Sequence, residues 1–289
     1  MKALIRAIVN FYIYSSLHIS LTASLFVLEV FFLFRIDIDW TYIGLVFSAT
    51  MFIYSIHRVI GLKKVEYKSS SGRYKIIKTF KSHIILYALI SLIGVAWIGI
   101  SLPIEYYYFL IPLAVISLLY TLPVFGKGRR LRDIGYLKIF LIAFVWAYIS
   151  LGHNLNDLMI NKLFICLLFL ERFLYILCVT LPFDIRDLDI DQKMYVNTIP
   201  SYLGIQQTYI LVSGILIICY LLSLGVYYFL NILTITTAII VGISLLSTYI
   251  LINVSKGKDS DYYYSGLVDG AILLKSIIVI IGLKAIDFL

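Results

Sequence analysis

The chain has 289 residues and a net charge of +8, and 62% of its residues are hydrophobic while only 14% are charged. A mean hydropathy of +0.98 excludes a soluble globular domain and predicts an integral membrane protein. Lysine and arginine are concentrated on alternate loops between apolar segments, so the net charge reflects membrane topology and does not indicate nucleic-acid binding.

Nine apolar segments are long enough, at roughly 20 residues each, to cross the hydrocarbon core of a membrane. In chain order they are 10–34, 40–62, 83–102, 106–124, 136–152, 162–181, 206–230, 233–254 and 267–287. The first begins after Lys2 and Arg6, but its apolar run is too long for a cleaved signal peptide. We therefore predict an all-α polytopic membrane protein, a bundle of nine transmembrane helices that forms a single integral membrane domain over residues 1–289.

The predicted loops differ sharply in their basic residues. The second and fourth loops carry Lys63, Lys64, Lys68, Arg73, Lys75, Lys78 and Lys81, and then Lys127, Arg129, Arg130 and Arg132. The opposite loops, such as 35–39 and 152–157, are short and poor in lysine and arginine. Because basic loops stay in the cytoplasm, we predict a cytoplasmic amino terminus and an external carboxyl terminus. The membrane is predicted to be a bacterial cytoplasmic membrane.

A few ionisable side chains fall inside or at the ends of the predicted spans. Glu29 is predicted to form a structural pair between helices, because charge at this depth is costly. Glu171 and Arg172 are adjacent and so point about 100° apart, which leaves Glu29 and Lys275 as candidate partners.

His57 and Arg58 lie at the predicted cytoplasmic end of the second span. Two roles are open for Arg58: it binds a substrate phosphate, or it extends to lipid headgroups.

A basic connector, GKGRRLRDIGYLK, follows the fourth span, which Pro123 is predicted to end or kink. One interpretation is that the connector only determines topology and contacts lipid headgroups. The other is that it forms an anion site opposite an acidic segment further along the chain, since arginine and lysine both suit phosphate.

That acidic segment, FDIRDLDIDQKMYVNTIPSYLG, follows Pro182, which is predicted to bend the chain. On a helix, Asp184, Asp187 and Asp191 share one narrow arc. Asp189 points the other way, toward Arg186 and Lys193, which are predicted to pair with it. Three like charges on one face repel each other, so we predict a bound cation, and carboxylate oxygens suit Mg²⁺. The alternative is a solvated acidic turn. Further on, Thr198 and Pro200 predict a helix start.

These motifs resemble the UbiA superfamily of intramembrane prenyltransferases. The pattern D-x-R-D-x-x-x-D followed by N-T-I-P-x-x-L-G is similar to the second Asp-rich motif of that family. TLPVFGKGRRLRDIGYLK resembles its loop after the fourth helix, and DYYYSGLVDG resembles the segment before its last helix. The resemblance implies helices around a central cavity that opens laterally to lipid. It also implies that Asp187 and Asp191, with Asp184 close by, are Mg²⁺–diphosphate ligands.

The sequence also departs from the family pattern. The first Asp-rich motif would fall at 54–65, where YSIHRVIGLKKV contains no Asp, Asn or Glu. In the second motif, Tyr195 and Asn197 stand where Gly and Lys are usual. The resemblance therefore implies either an enzyme with one metal site, in which basic residues replace the other, or a relative without catalysis.

The leading hypothesis is a membrane enzyme that transfers an isoprenyl group from its diphosphate to a lipid-soluble acceptor. Asp187 and Asp191 would hold Mg²⁺, with Asp184 assisting. The diphosphate would be bound by Lys127, Arg129, Arg132, His57, Arg58, Arg186, Lys193 and Asn197. The alternative is a non-catalytic UbiA-like protein that binds an isoprenoid or lipid or serves as a membrane-complex subunit. A transporter ranks third, because no paired Gly/Pro-broken helices occur in corresponding halves.

Overall fold

A computed structural model describes residues 2–65, 72–126, 130–152, 162–193, 196–258, 260 and 262–287. Within these ranges the chain forms thirteen α-helices, a short 3₁₀ helix and one π-helical turn. The α-helices are α1 (Lys2–Tyr14), α2 (Leu17–Phe34), α3 (Trp40–Val65), α4 (Gly72–Thr79), α5 (Lys81–Ser101), α6 (Ile104–Thr121), α7 (Leu137–Leu151), α8 (Lys162–Arg186), α9 (Leu188–Lys193), α10 (Ile199–Leu203), α11 (Ile205–Phe229), α12 (Ile235–Ser255) and α13 (Asp269–Asp287). The 3₁₀ helix is Leu131–Asp133 and the π-helix is Tyr262–Val268.

Eight helical segments of the described chain are long and apolar enough to cross a membrane: α2, α3, α5, α6, α8, α11, α12 and the π-helix continued by α13. Helix α7 is also apolar but has only 15 residues. Together these nine match the nine predicted segments, with ends shifted by a few residues. The prediction of an all-α polytopic membrane protein is confirmed.

The first predicted segment, 10–34, is not one helix. Helix α1 ends at Tyr14 and α2 begins at Leu17, because Ser16 between them has a φ of 70°. A positive φ is unfavourable for a residue with a Cβ and cannot continue a right-handed helix. The hydroxyl of Ser55 on α3 donates to the Ser16 hydroxyl at 3.3 Å, which helps to hold this break.

The described chain divides into two compact units, Met1–Ser24 with Asp39–Leu131, and Leu25–Ile38 with Arg132–Leu289. The prediction of one domain over 1–289 stays a prediction. In the first unit, α3 packs against α5 and α6. A Cβ at Gly94 would lie 3.1 Å from the Ser48 hydroxyl, so glycine allows α5 to approach α3 closely.

In the second unit, α8 packs between α7 and α11, and α12 packs against α13. A Cβ at Gly282 would lie only 2.7 Å from the Ile240 side chain, so this close approach of α13 to α12 requires glycine. The hydroxyl of Tyr175 in α8 donates to the Ala271 carbonyl at 3.2 Å and contacts the Thr248 hydroxyl at 2.9 Å. These contacts tie α8 to both α12 and α13.

Large apolar side chains also lie exposed along the outer faces of the long helices. Trp97 and Ile100 on α5 are 79% and 84% exposed, and Ile235 at the start of α12 is 82% exposed. In water, apolar side chains exposed to this extent would favour aggregation. In a membrane protein such faces contact lipid, which agrees with the predicted spans.

Candidate functional site

The acidic segment is helical almost throughout. Pro182 lies inside α8, which continues to Arg186, and the predicted bend at this proline stays a prediction. Across the junction with α9, the amides of Asp187 and Asp191 donate to the carbonyls of Phe183 and Asp187, each at 2.9 Å. These bonds keep helical spacing, so Asp184, Asp187 and Asp191 retain the i, i+3, i+7 relation on which the sequence prediction depends.

Lys138, at the start of α7, bridges two of these aspartates. Its ammonium nitrogen lies 2.6 Å from Oδ1 of Asp184 and 3.3 Å from Oδ2 of Asp191. Lys138 is 7% exposed and Asp184 only 2% exposed, so this contact is shielded from water. Sequence reasoning did not single out Lys138. The available signal was a lysine within the first turn of an apolar span, at the end of the basic connector.

Asp187 is held by its neighbour Arg186. The guanidinium donates from Nε to Oδ1 at 2.8 Å and from Nη2 to Oδ2 at 2.9 Å, the bidentate arrangement that favours a firm pair. The same guanidinium lies 5.1 Å from the ring centre of Phe183 and 5.3 Å from that of Tyr264. These contacts place Arg186 beside Asp187, while its predicted pairing with Asp189 stays a prediction. Asp189 is exposed, as expected for the opposite face.

The donor chemistry of the site suits Mg²⁺, but its geometry is that of a lysine-bridged pair of carboxylates. Oxygen ligands are available from Asp184, Asp187 and Asp191. Among the described residues, however, no three acidic, histidine or cysteine side chains are grouped so that they could hold a metal ion. Lys138 already pairs with two of the carboxylates and Arg186 with the third. The prediction that these aspartates bind metal stays a prediction.

Burial raises the pKa of Asp191, and the neighbouring Asp187 carboxylate raises it further, while the Lys138 ammonium acts in the opposite direction. A folded-state pKa above the unfolded value means that Asp191 stabilises the fold only when protonated. That contribution is present below the unfolded pKa of about 3.9 and is lost as pH rises through the raised folded pKa.

We therefore expect Asp191→Asn to keep or raise the midpoint of thermal unfolding at pH 7, because the amide carries no charge that must be buried. Lys138 keeps Asp184 as its partner in this variant. The advantage over wild type should shrink as pH falls through the raised pKa of Asp191, because the carboxyl group then becomes protonated. Unfolding curves of the detergent-purified protein at several pH values measure this, and a lower midpoint at pH 7 would contradict the assignment.

The other predicted ligands are spread over the chain. Arg132 is half-buried in the 3₁₀ helix. It lies near enough to Asp191 for its positive charge to lower the pKa of that carboxyl group, against the larger effect of burial. Lys193 and Asn197 are exposed on either side of the turn into α10. Lys127 and Arg129 lie outside the described residues.

His57 and Arg58 belong to the other compact unit, on α3. The His57 ring lies 6.1 Å from the ring of Tyr120, and the Arg58 guanidinium lies 5.9 Å from the ring of Tyr14. Their roles as phosphate ligands stay predictions.

The helix start predicted at Thr198 is confirmed. Thr198 precedes α10 and forms a capping box with Ser201: its amide donates to the Ser201 hydroxyl at 2.9 Å. Pro200 lies in the first turn, and Gly204 ends the helix with a φ of 81°. This tight turn allows α11 to begin directly at Ile205.

A second group of charges is buried deep in the second unit. Glu29 accepts hydrogen bonds from Arg172 at 3.0 Å, from Lys275 at 2.6 Å and from the Ser276 hydroxyl at 2.8 Å. The Arg172 guanidinium also donates to the Phe26 carbonyl at 2.8 Å and lies 4.3 Å from the Phe26 ring centre. The prediction of a structural pair for Glu29 agrees with this geometry.

Glu171 is the fourth charged residue of this cluster, and its contacts are longer than those of Glu29. Its carboxylate lies 3.9 Å from Arg172 Nε and 3.8 Å from Lys275 Nζ, and it accepts a 3.3 Å hydrogen bond from Ser223. A small cavity borders all four charged residues. The cluster has two carboxylates and two cations, so it carries no net charge.

The helices and the lysine-bridged aspartates define a class of protein: an α-helical multi-pass membrane protein with a charged site at the end of a long span. Solved structures with the same fold are UbiA homologues. One from Archaeoglobus fulgidus, bound to GPP and Mg²⁺, has a TM-score of 0.65 at 13% identity and covers 96% of this chain and 99% of its own. The homologue from Aeropyrum pernix K1 has a TM-score of 0.61 at 12% identity and covers 94% and 98%.

A structure of digeranylgeranylglyceryl phosphate synthase is also similar, with a TM-score of 0.56 at 15% identity and coverage of 96% and 99%. No family model matches the sequence, and no curated protein sequence matches it significantly. At these identities the likeness establishes the fold. The chain has the UbiA fold over nearly its whole length. The resemblance inferred from the motifs is therefore confirmed for the fold.

Proposed function

We propose that the chain transfers an isoprenyl group from a prenyl diphosphate to a lipid-soluble acceptor within the membrane. The observation that carries this proposal is the gathering of Asp184, Asp191 and Lys138, beside the Asp187–Arg186 pair, in a UbiA fold. UbiA homologues with this fold bind dimethylallyl and geranyl diphosphates together with Mg²⁺. A site that offers both carboxylates and cations suits a metal-bound diphosphate, which needs both.

The residues of the site divide by charge. Asp187 and Asp191, with Asp184 close by, would hold Mg²⁺, which when bound would neutralise the diphosphate leaving group. Arg132 and Lys138 would bind phosphate oxygens, with Lys127, Arg129, Lys193 and Asn197 as further candidates. The rings of Phe183 and Tyr264, 5.9 Å apart, hold the Arg186 guanidinium beside Asp187 and so fix a further cation at the site.

The alternative is a UbiA-like protein that binds an isoprenoid but does not react with it. The sequence feature that favours this alternative is the lack of any acid in 54–65. Measuring product formation distinguishes the enzyme from the non-catalytic binding protein. Purified protein is incubated with radiolabelled prenyl diphosphates, Mg²⁺ and a native lipid extract, and released diphosphate and labelled lipid are measured. The enzyme releases both in equal amounts; a binding protein retains the intact prenyl diphosphate.

We also propose that the amino terminus is cytoplasmic and the carboxyl terminus external, so that the site faces the cytoplasm. Single cysteines replacing Lys256 and Asn154, in a background without other cysteines, should then be labelled from opposite sides of the membrane by an impermeant reagent. Lys256 is exposed at the end of α12, which makes it accessible to the reagent. Labelling of both from one side would contradict the orientation.

A further inference from the structure

We propose that Lys138 is a tethered cation that takes over part of the role of a metal ion at this site. In the absence of metal it is the shared counter-ion of Asp184 and Asp191, and it binds a phosphate oxygen of the substrate through its remaining N–H. The second half of this inference rests on the proposed function. The first half concerns the protein alone and can be tested without substrate.

The atom that lies between the two carboxylates is a lysine nitrogen. Lys138 Nζ contacts Asp184 at 2.6 Å and Asp191 at 3.3 Å, so a single positive charge serves two aspartates seven residues apart. Without a cation, the buried Asp184 carboxylate and the half-buried Asp191 carboxylate would repel each other at a site where hydration is reduced. Lys138 therefore supplies the counter-charge that the sequence pattern led us to assign to Mg²⁺ alone.

The ammonium group of Lys138 has three N–H donors. Asp191 accepts one of them at 3.3 Å and Asp184 Oδ1 lies 2.6 Å away as an ion-pair partner, and among the described residues no further partner of Lys138 Nζ is found. Its side chain is 9% exposed, so the third donor is nearly desolvated, which strengthens a contact to a charged phosphate oxygen.

A prenyl diphosphate needs more positive charge than one Mg²⁺ provides, and the segment 54–65 offers no acid to hold a second metal. Lys138 is a permanent cation fixed among the aspartates, and it adds one positive charge without a second metal. This assigns to Lys138, on the described geometry, the role that the sequence alone suggested for Arg58.

The consequence is that Lys138 and a divalent cation compete for Asp191, while each of them helps the site to bind diphosphate. Replacing Lys138 should therefore change the two affinities in opposite directions. Lys138→Met should bind Mg²⁺ alone at least about tenfold more tightly, because the carboxylates lose their resident cation. The same variant at saturating Mg²⁺ should bind inorganic diphosphate about 10- to 100-fold more weakly, the effect of losing one charged hydrogen bond.

The experiment uses full-length protein in detergent, with titration calorimetry for Mg²⁺ and for diphosphate. Lys162→Met is the matched control: it removes a lysine that is exposed at the far end of α8, and both affinities should equal wild type. Thermal unfolding adds an independent readout. Without metal, Lys138→Met should unfold at a lower temperature than wild type, and Mg²⁺ should raise its midpoint by more than it raises that of wild type.

If Lys138→Met does not fold, the double variant Lys138→Met/Asp184→Asn removes both members of the buried pair and leaves Asp187 and Asp191. It should bind Mg²⁺ at least as tightly as wild type and diphosphate more weakly. For Lys138→Met, unchanged or weaker Mg²⁺ binding would overturn the counter-ion role; for the double variant, Mg²⁺ binding weaker than that of wild type would overturn it. Unchanged diphosphate binding would overturn the substrate contact. If wild type binds no diphosphate at all, the proposed function and the substrate contact both fail, and the Mg²⁺ titration still decides the counter-ion role.

Discussion

Replacing Glu29 with glutamine is expected to lower the free energy of unfolding by about 3–5 kcal/mol, the usual cost of removing one partner from a buried ion pair. Glu29 is 2% exposed and accepts hydrogen bonds from Arg172, Lys275 and Ser276. Without its charge, Arg172 and Lys275 would face only Glu171, which lies 3.8–3.9 Å from each of them. One cation would remain buried without a counter-charge.

The double variant Glu29→Gln/Lys275→Met is expected to recover part of this loss. It leaves Arg172 with Glu171, so the cluster again carries no net charge. Chemical unfolding in detergent of wild type, both single variants and the double variant gives the interaction energy directly. Glu105→Gln on α6 is the matched control, because Glu105 is exposed and its loss should change stability by less than about 0.5 kcal/mol. A double variant less stable than Glu29→Gln would contradict charge balance as the reason for the cluster.

Asp187→Asn and Asp191→Asn are each expected to weaken Mg²⁺-dependent diphosphate binding by about 100-fold, near the upper end of the range for one lost charged contact. Both residues keep helical spacing across the α8–α9 junction and face the cations of the site. Asp189→Asn removes the same charge from the exposed face of the same segment. Its effect should stay within about threefold, since surface pairs contribute only ~0–1 kcal/mol.

Diphosphate titrations of the three variants at fixed Mg²⁺ measure these effects, with thermal unfolding as the check on folding. Asp189→Asn is the internal control for loss of charge. Similar losses at all three positions would show that net charge, and not the shared helical face, governs binding. Loss at Asp189 alone would reverse the assignment of the face.

The long apolar spans could be predicted from the sequence because their signal is local and strong. Length and hydropathy alone located the segments that became α2, α3, α5 to α8, α11, α12 and α13. The break at Ser16 was missed, because its residues are apolar on both sides and the positive φ depends on packing against Ser55. The helix start at Thr198 was predicted correctly because capping chemistry is also local.

The aspartates of the candidate site could be predicted by their helical spacing, but their partners could not. Lys138 precedes Asp184 by more than forty residues and meets it only because α7 packs along α8. Arg186 was assigned to Asp189 by spacing, yet Phe183 and Tyr264 hold its guanidinium beside Asp187. Lys138 and the Tyr264 ring both come from parts of the chain distant from the acidic segment, and helical periodicity does not report such contacts.

The central claim is that this site binds a prenyl diphosphate together with Mg²⁺. Its most direct test is a titration of the purified wild-type protein with geranyl diphosphate, once with excess Mg²⁺ and once with a chelator. We predict saturable binding with Mg²⁺, competition by inorganic diphosphate, and an affinity at least about tenfold lower in the chelator. Absence of saturable binding with Mg²⁺, or equal affinity with and without the metal, would contradict the claim.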